Sequence, residues 1–339
     1  MTCIWTSDIH LDGSPKNEYR YDILPWLETT ALAKKVDFVG INGDLTEAKD
    51  KHPASVVNRI VEFFYQSKNQ WVINTGNHDF SDPTTPFFGF LKNFENVRWI
   101  RKPTSIMLPI CADMTRTLIL PSTKEWDTLW PPYFEKNKSY PYIFVHATFE
   151  GTFTETGHKL SGVPVNFFPR DQYGRVFAGD IHMPGTITRR MDYIGSPHRV
   201  YFGDTFDPRV LYFSKGEIRD IHPGMRSRHV LVIRKESELS RFEDEVRAGD
   251  QVKIRVRLRR SDFADWAKLR RGIEDAASQR GWEVFGVELL QLTSRARLDD
   301  DAPKTTVAYQ TPKERLLAFA EARNLSEAET NFGLALLEG

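Results

Sequence analysis

Five motifs of Asp, His and Asn each follow directly on a short apolar run: Asp8-Ile9-His10, Gly43-Asp44, Gly76-Asn77-His78-Asp79, His146 and Asp180-Ile181-His182. This repetition constrains the chain more than any other feature. If the apolar runs are strands of an open α/β sheet, the motifs all fall on its carboxyl rim, where such sheets bind ligands. Their residue types bind hard or borderline divalent ions through oxygen and imidazole nitrogen.

The apolar runs at 3–6, 37–41, 71–74, 117–120, 142–145 and 175–178 have the length and composition of strands. Segments 23–34 and 55–67 have helical spacing, as in Val56, Ile60, Phe63 and Phe64. Strands alternating with helices predict α/β layers around a buried sheet. At 211–217 the pattern becomes a hairpin. From about 228 a second unit begins, with strands predicted at 229–233, 251–259 and 284–292 and helices at 237–246 and 262–279. The predicted organisation is a main domain over 1–220, a small α/β capping domain over 221–298, and a linker with two helices over 299–339. The linker carries Asp299-Asp300-Asp301-Ala302-Pro303. The helices start at Thr311-Pro312-x-Glu314 and Ser326-x-x-Glu329, both capping boxes.

Composition narrows the function classes. Lys plus Arg equals Asp plus Glu, 46 each, so any site for a polyanion must be a local patch or a metal. The two cysteines, Cys3 and Cys111, supply neither a disulfide framework nor a thiolate zinc site. The first residues run straight into a predicted strand, not a signal peptide, and no segment approaches about 18 uninterrupted apolar residues. A cytoplasmic setting is therefore expected.

Hydrolysing a phosphodiester requires neutralised phosphate charge, a strong nucleophile and help for the leaving oxygen, and two metal ions can supply the first two. The motifs contain a suitable ligand set. Asp8 and His10, two apart at a strand end, can reach one ion together. Asp44 is the natural bridging carboxylate, Asn77 offers a neutral carbonyl oxygen, and His146, Asp180 and His182 complete the set. His78 is free to stabilise the transition state or protonate the leaving group. Three carboxylates among the ligands favour Mn²⁺ or Mg²⁺, and the histidines leave Zn²⁺ and Fe²⁺ open. Each dipeptide alone is also the sequence of a turn or a helix cap. Their order and shared position carry the reading.

On these motifs the chain resembles the calcineurin-like metallophosphoesterases. Within them, Tyr193-Ile194-Gly195-Ser196-Pro197 followed by Tyr201-Phe202-Gly203-Asp204 resembles the SbcD type, the nuclease subunit of double-strand-break repair complexes, including compact phage-encoded members. The resemblance implies that Asp8, His10, Asp44 and His182 hold one ion, and that Asp44, Asn77, His146 and Asp180 hold the other. It implies Mn²⁺-dependent exonuclease and endonuclease action on DNA, an SbcC-type coiled-coil ATPase partner and a homodimer. One departure stands out. The family carries Gly-His-x-His where this chain has Gly179-Asp180-Ile181-His182, which predicts a stronger preference for a hard ion.

Other readings stay open on sequence alone. A phosphatase or small-molecule phosphodiesterase could use the same scaffold, and a weakened site could leave only a scaffold for an ATPase. Lys253, Arg255, Arg257 and Arg259 alternate with apolar residues and either contact DNA phosphate or pair with local carboxylates. Trp126, Trp130 and Tyr133 either stack on bases or pack on the core. Glu47 reads as an outer or surface carboxylate, and His158 and His198 as surface residues or neighbours of the site. Phe87, Phe88, Phe90 and Phe94 read as core or a self-association surface. Leu316, Phe319, Phe332 and Leu336 mark apolar faces of the last two helices, suited to docking on a partner coiled coil.

Overall fold

The computed structural model describes residues 2–82, 84–110, 113–134, 138–152, 159–258 and 265–290. Among them, fifteen strands form three sheets. In chain order, β1 (Thr2–Thr6), β2 (Phe38–Asn42), β3 (Trp71–Asn74) and β4 (Val97–Ile100) run parallel in the first sheet. The second sheet contains β5 (Thr104–Ile110), β6 (Asp113–Leu120), β7 (Tyr140–His146), β8 (Tyr173–Gly179), β9 (Gly185–Thr188) and β10 (Met191–Tyr193). The hairpin of β11 (Val210–Ser214) and β12 (Glu217–Ile221) returns to the first sheet, where β11 pairs antiparallel with β1. The orders are β12-β11-β1-β2-β3-β4 and β5-β6-β7-β8-β10-β9. This is the layered α/β architecture that the alternating pattern predicts.

Strand alternation places the layers. On β1, Cys3 and Trp5 point to a core shared with Ile119, Phe144, Phe177 and Phe213, which packs the two sheets face to face. The Trp5 and Phe144 rings stack with centroids 3.7 Å apart. Ile4 points the other way, into a core roofed by helices α1 (Ile23–Lys34) and α2 (Ala54–Gln66), with Leu27, Ile60 and Phe64. Burial on both faces explains why these strands are continuous apolar runs and not alternating ones. On the outer side of the second sheet, Trp130 is fully buried beside Phe167 and Phe168. Trp126 also packs on Phe167, so this aromatic loop packs inward. In the 3₁₀ segment Phe87–Asn93, Phe88 is core while Phe90 remains 39% exposed.

A third sheet of β13 (Arg228–Ile233), β14 (Gln251–Val256) and β15 (Glu283–Leu289) is wholly parallel. The helix Trp266–Gln279 packs on it, and Leu231, Ile254, Ile273 and Trp282 form its core. The helix expected at 237–246 is instead a 3₁₀ segment, Glu236–Phe242. Here Ser240 Oγ donates to the Ser237 carbonyl at 3.0 Å, the local competition by which serine disfavours an α-helical interior. Leu239 and Val246 still reach the core. All the described residues belong to one compact unit, Met1–Gln291. The linker at 299–303 and the helices carrying Leu316, Phe319, Phe332 and Leu336 lie outside the described residues, as do Cys111, His158 and Arg259. Among the described residues, no helix is long and apolar enough to cross a membrane.

Asp250 anchors the start of β14. Its carboxylate accepts the N–H of Ser227 at 2.8 Å and of Arg247 at 3.0 Å, and lies 3.1 Å from His229 Nε2. Burial alone would raise its pKa, but the His229 contact and the two N–H bonds bring it below the ordinary carboxyl value of 3.8. A folded value below the unfolded one contributes stability that is complete above pH 3.8 and is lost as pH falls through the folded value. Asp250→Ala should therefore cost about 1–2 kcal/mol at pH 7, by leaving the partly buried donors of Ser227 and His229 without their acceptor. Urea unfolding at pH 7 and pH 3 should show the gap shrink in acid. An unchanged gap would contradict the assigned sign.

Candidate metal centre

Each motif caps a parallel strand at its carboxyl end: β1 leads to Asp8 and His10, β2 to Asp44, β3 to residues 76–79, β7 ends in His146 and β8 leads to Asp180. Because the two sheets face each other, these ends converge. A short ladder sets the first two, with Asp8 N donating to Gly43 O at 3.1 Å, His10 N to Asp44 O at 3.0 Å and Leu11 N to Leu45 O at 3.0 Å. Asp8, His10, Asp44 and Asp180 all have positive φ, at 57°, 53°, 52° and 90°. Such conformations cost about 1–3 kcal/mol each and persist where the surroundings over-determine them, commonly at functional sites.

Two glycines are demanded by crowding. A β-carbon at Gly43, where φ is +92°, would overlap the His146 imidazole. One at Gly76 would overlap the carboxylate and backbone nitrogen of Asp44. Beneath the site, Asn42 donates to the carbonyls of Val145 at 2.9 Å and Phe177 at 3.2 Å, stitching the first sheet to the second. Asn74 donates to Asn42 Oδ1 at 3.0 Å and to Leu120 O at 3.1 Å. Sequence reasoning assigned neither asparagine a role, because each merely ends a strand. It also left Asp79 without one. That buried carboxylate accepts the N–H of Asp44 at 3.0 Å, Gly76 at 2.8 Å and Thr46 at 3.3 Å, clamping two motif loops together. Burial and the charge of Asp44 push its carboxyl up to about 7.

The proposed ligands come together around Asp44. Its Oδ2 lies 3.6 Å from His10 Nε2 and 3.3 Å from His146 Nε2, and its Oδ1 accepts the His78 N–H at 2.8 Å. His146 Nε2 is also 2.9 Å from Asn77 Oδ1 and 3.8 Å from Asp180 Oδ1. On the other side of His10, the Nε2 atoms of His10 and His182 face each other at 3.0 Å. Among the described residues, three groups have ligand atoms within 4.8 Å of one another: Asp8, His10 and His182; His10, Asp44 and His78; and Asp8, Asp44 and His146. Asp180 N donates to Asp8 Oδ1 at 3.0 Å, and Thr148 Oγ1 donates to Asp180 Oδ2.

The donor set fits cations. Asp8 Oδ2 is buried with no hydrogen-bond partner among the described residues, a costly state unless something compensates it. Asn77 Oδ1 faces carboxylate oxygens and an imidazole nitrogen, acceptor against acceptor. Turning the amide over would relieve that contact but leave Asp8 Oδ2 unpartnered. His146 Nδ1 sits 2.7 Å from Asn42 O, which takes the Nδ1 proton and leaves Nε2 as the nitrogen that would face an ion.

The charges agree. Burial would raise the pKa of Asp44, but His146, His10 and His78 bring it below the usual range. Burial and neighbouring His10 push His182 down to about 3, leaving its ring neutral. Burial raises Asp8 to about 6.

Several residues beyond the motifs hold this geometry. Ser196 Oγ donates to Asp8 O at 2.9 Å, and Arg20 donates to His10 O at 2.6 Å and Val200 O at 2.9 Å. His198 is fully buried, with Nε2 2.8 Å from Ile9 O, so it braces the first motif and is not a surface residue. Tyr201, half exposed, places its ring 5.2 Å from that of His182. Away from the site, Lys253 and Arg255 lie on the less buried face of β14, as alternation requires. Both approach Glu288 of β15, at 2.8 and 3.9 Å. Arg257 is exposed just past the strand.

A family model of calcineurin-like phosphoesterases matches residues 1–184, more than half of the chain, and spans all five motifs up to His182. Among solved structures, a protein of unknown function from Aquifex aeolicus is 17% identical, with 42% of this chain and 76% of that chain covered and a TM-score of 0.25. No curated protein matches. On the family match the conclusion is plain: this chain belongs to the calcineurin-like phosphoesterases.

Proposed function

We propose that the chain is a DNA-cutting phosphodiesterase that uses two divalent ions, Mn²⁺ foremost, and serves as the nuclease subunit of an end-processing complex. The observation that carries the reading is the position of Asp44, a single ionised carboxylate shared by two histidine-containing clusters. Asp8, His10, Asp44 and His182 would hold one ion, and Asp44, Asn77, His146 and Asp180 the other. Bound there, the ions would neutralise phosphate charge and supply an activated water.

The chain's own residues set up the rest. Asp44 is kept ionised by the surrounding imidazoles and His182 is kept neutral by burial, states that metal binding needs, while His10 and His146 would release a proton as an ion binds. His78 is anchored by Nδ1 on the Glu47 carbonyl at 2.8 Å, which leaves Nε2 to meet a leaving oxygen. The segment 193–204, which carries the SbcD-like sequence, braces Asp8 through Ser196 and sets Tyr201 beside His182. The sequence resemblance of that segment is what supports a nucleic-acid substrate, with Lys253, Arg255, Arg257 and Arg259 as candidate phosphate contacts. Leu316, Phe319, Phe332 and Leu336 would dock on an SbcC-type coiled-coil ATPase, and the complex would contain two copies of this chain.

The test is digestion of end-labelled double-stranded DNA by the purified chain with Mn²⁺, Mg²⁺ or EDTA, beside an Asp8→Asn control. Metal-dependent nucleotide release that the control lacks supports the nuclease. Hydrolysis of a small phosphate ester without release from DNA assigns the phosphatase reading instead.

A further inference from the structure

We infer that Glu47 is a positioning residue for the metal centre: its carboxylate, itself held by Arg20, fixes the His10 ring so that Nε2 faces the ion. The inference rests on reading the site as a metal centre, and it is tested without DNA.

Glu47 Oε2 lies 3.1 Å from His10 Nδ1 and 3.5 Å from Arg20 Nη1. The approach to His10 is at ion-pair distance but not aligned as a hydrogen bond, so a small ring rotation completes the contact. Arg20 is nearly fully buried and bonds the His10 carbonyl as well, so one guanidinium fixes both ends of the pair. Glu47 is also tied by its backbone, with its N–H donating to Leu11 O at 3.0 Å, one residue beyond His10. It rides on the same ladder as the histidine it touches. Its carbonyl takes His78 Nδ1 at 2.8 Å. A single residue therefore orients two histidines, one with its side chain and one with its backbone.

An imidazole is a good metal ligand when its second nitrogen gives its proton to a fixed acceptor, which sets the tautomer and the ring plane. For His146 that acceptor is the Asn42 carbonyl at 2.7 Å. For His10 the group within reach is the Glu47 carboxylate. With the proton on Nδ1, the lone pair of Nε2 points towards Asp44 and His182, where the ligand atoms converge. The sequence leaves Glu47, three residues after Asp44, as either an outer carboxylate of the site or a surface one, and the approach to His10 favours the first.

The test is Mn²⁺ binding by equilibrium dialysis to the full chain, to Glu47→Ala and to Glu47→Gln, with thermal melting of each metal-free protein. Removing such a partner weakens metal affinity by about 10–100-fold, and that loss is expected for Glu47→Ala. Glu47→Gln keeps a carbonyl oxygen that can accept the Nδ1 proton, so it should recover most of the affinity, a rescue that loss of packing would not give. Equal affinity in the parent and Glu47→Ala would overturn the inference. So would a folded Glu47→Gln as weak as Glu47→Ala, because the carboxylate would then act through its charge and not by orienting His10. A parent that binds Mn²⁺ but leaves DNA intact would count against the nuclease reading alone.

Discussion

Asp44→Asn should reduce hydrolysis of a simple phosphodiester at saturating Mn²⁺ by at least the roughly 10²–10³-fold that losing one transition-state-stabilising group costs. The fold should survive. Asparagine is isosteric, it tolerates the left-handed conformation that Asp44 adopts at φ 52°, and its oxygen can still accept the His78 N–H. What disappears is the charge. Asp44 Oδ2 is the oxygen that approaches both His10 Nε2 and His146 Nε2, so a neutral amide weakens both halves of the centre at once. Rates against bis(p-nitrophenyl) phosphate, with Mn²⁺ occupancy measured in parallel, would check this. A variant within about tenfold of the parent would remove Asp44 from the centre of the mechanism.

Asp79→Ala should be the more damaging change to stability. Its two carboxylate oxygens accept three backbone N–H groups, from Asp44, Gly76 and Thr46, all in buried residues. Each buried donor left without a partner costs about 1–3 kcal/mol, so a loss of about 3 kcal/mol or more is expected. That is a large share of the roughly 5–15 kcal/mol by which domains are stable. Asp79→Asn retains one acceptor oxygen and should cost less. Urea unfolding of the two variants beside the parent gives the comparison. Equal midpoints for Asp79→Ala and the parent would show that the loops are held by something else. Activity should fall with stability, since the loop that relaxes carries Asn77 and His78.

The strands that carry the site, and the residues at their ends, were legible in the amino-acid order alone. Runs at 3–6, 71–74, 142–145 and 175–178 lie within observed strands, and 23–34 coincides with α1. Strands buried on both faces and helices buried on one leave their mark in local periodicity. The five motifs stood out because a turn or a helix cap accounts for one such polar group after an apolar run, but not for the same ligand types recurring after five. The strands Val97–Ile100, Thr104–Ile110, Gly185–Thr188 and Met191–Tyr193 were not read. Three have only three or four residues, and the fourth carries Pro109 near its end and is mostly half-exposed, so none completes a pattern.

The supports of the site became visible only in three dimensions. Asn42 ties to residues 103 and 135 positions away, His198 to one 189 away, and Glu47 meets His10 from a different motif loop. Lys253 and Arg255 find Glu288 only once β14 and β15 pair. Burial is recorded residue by residue in the sequence. The partner of a polar group is set by which strands the fold brings side by side, and no local spacing encodes that.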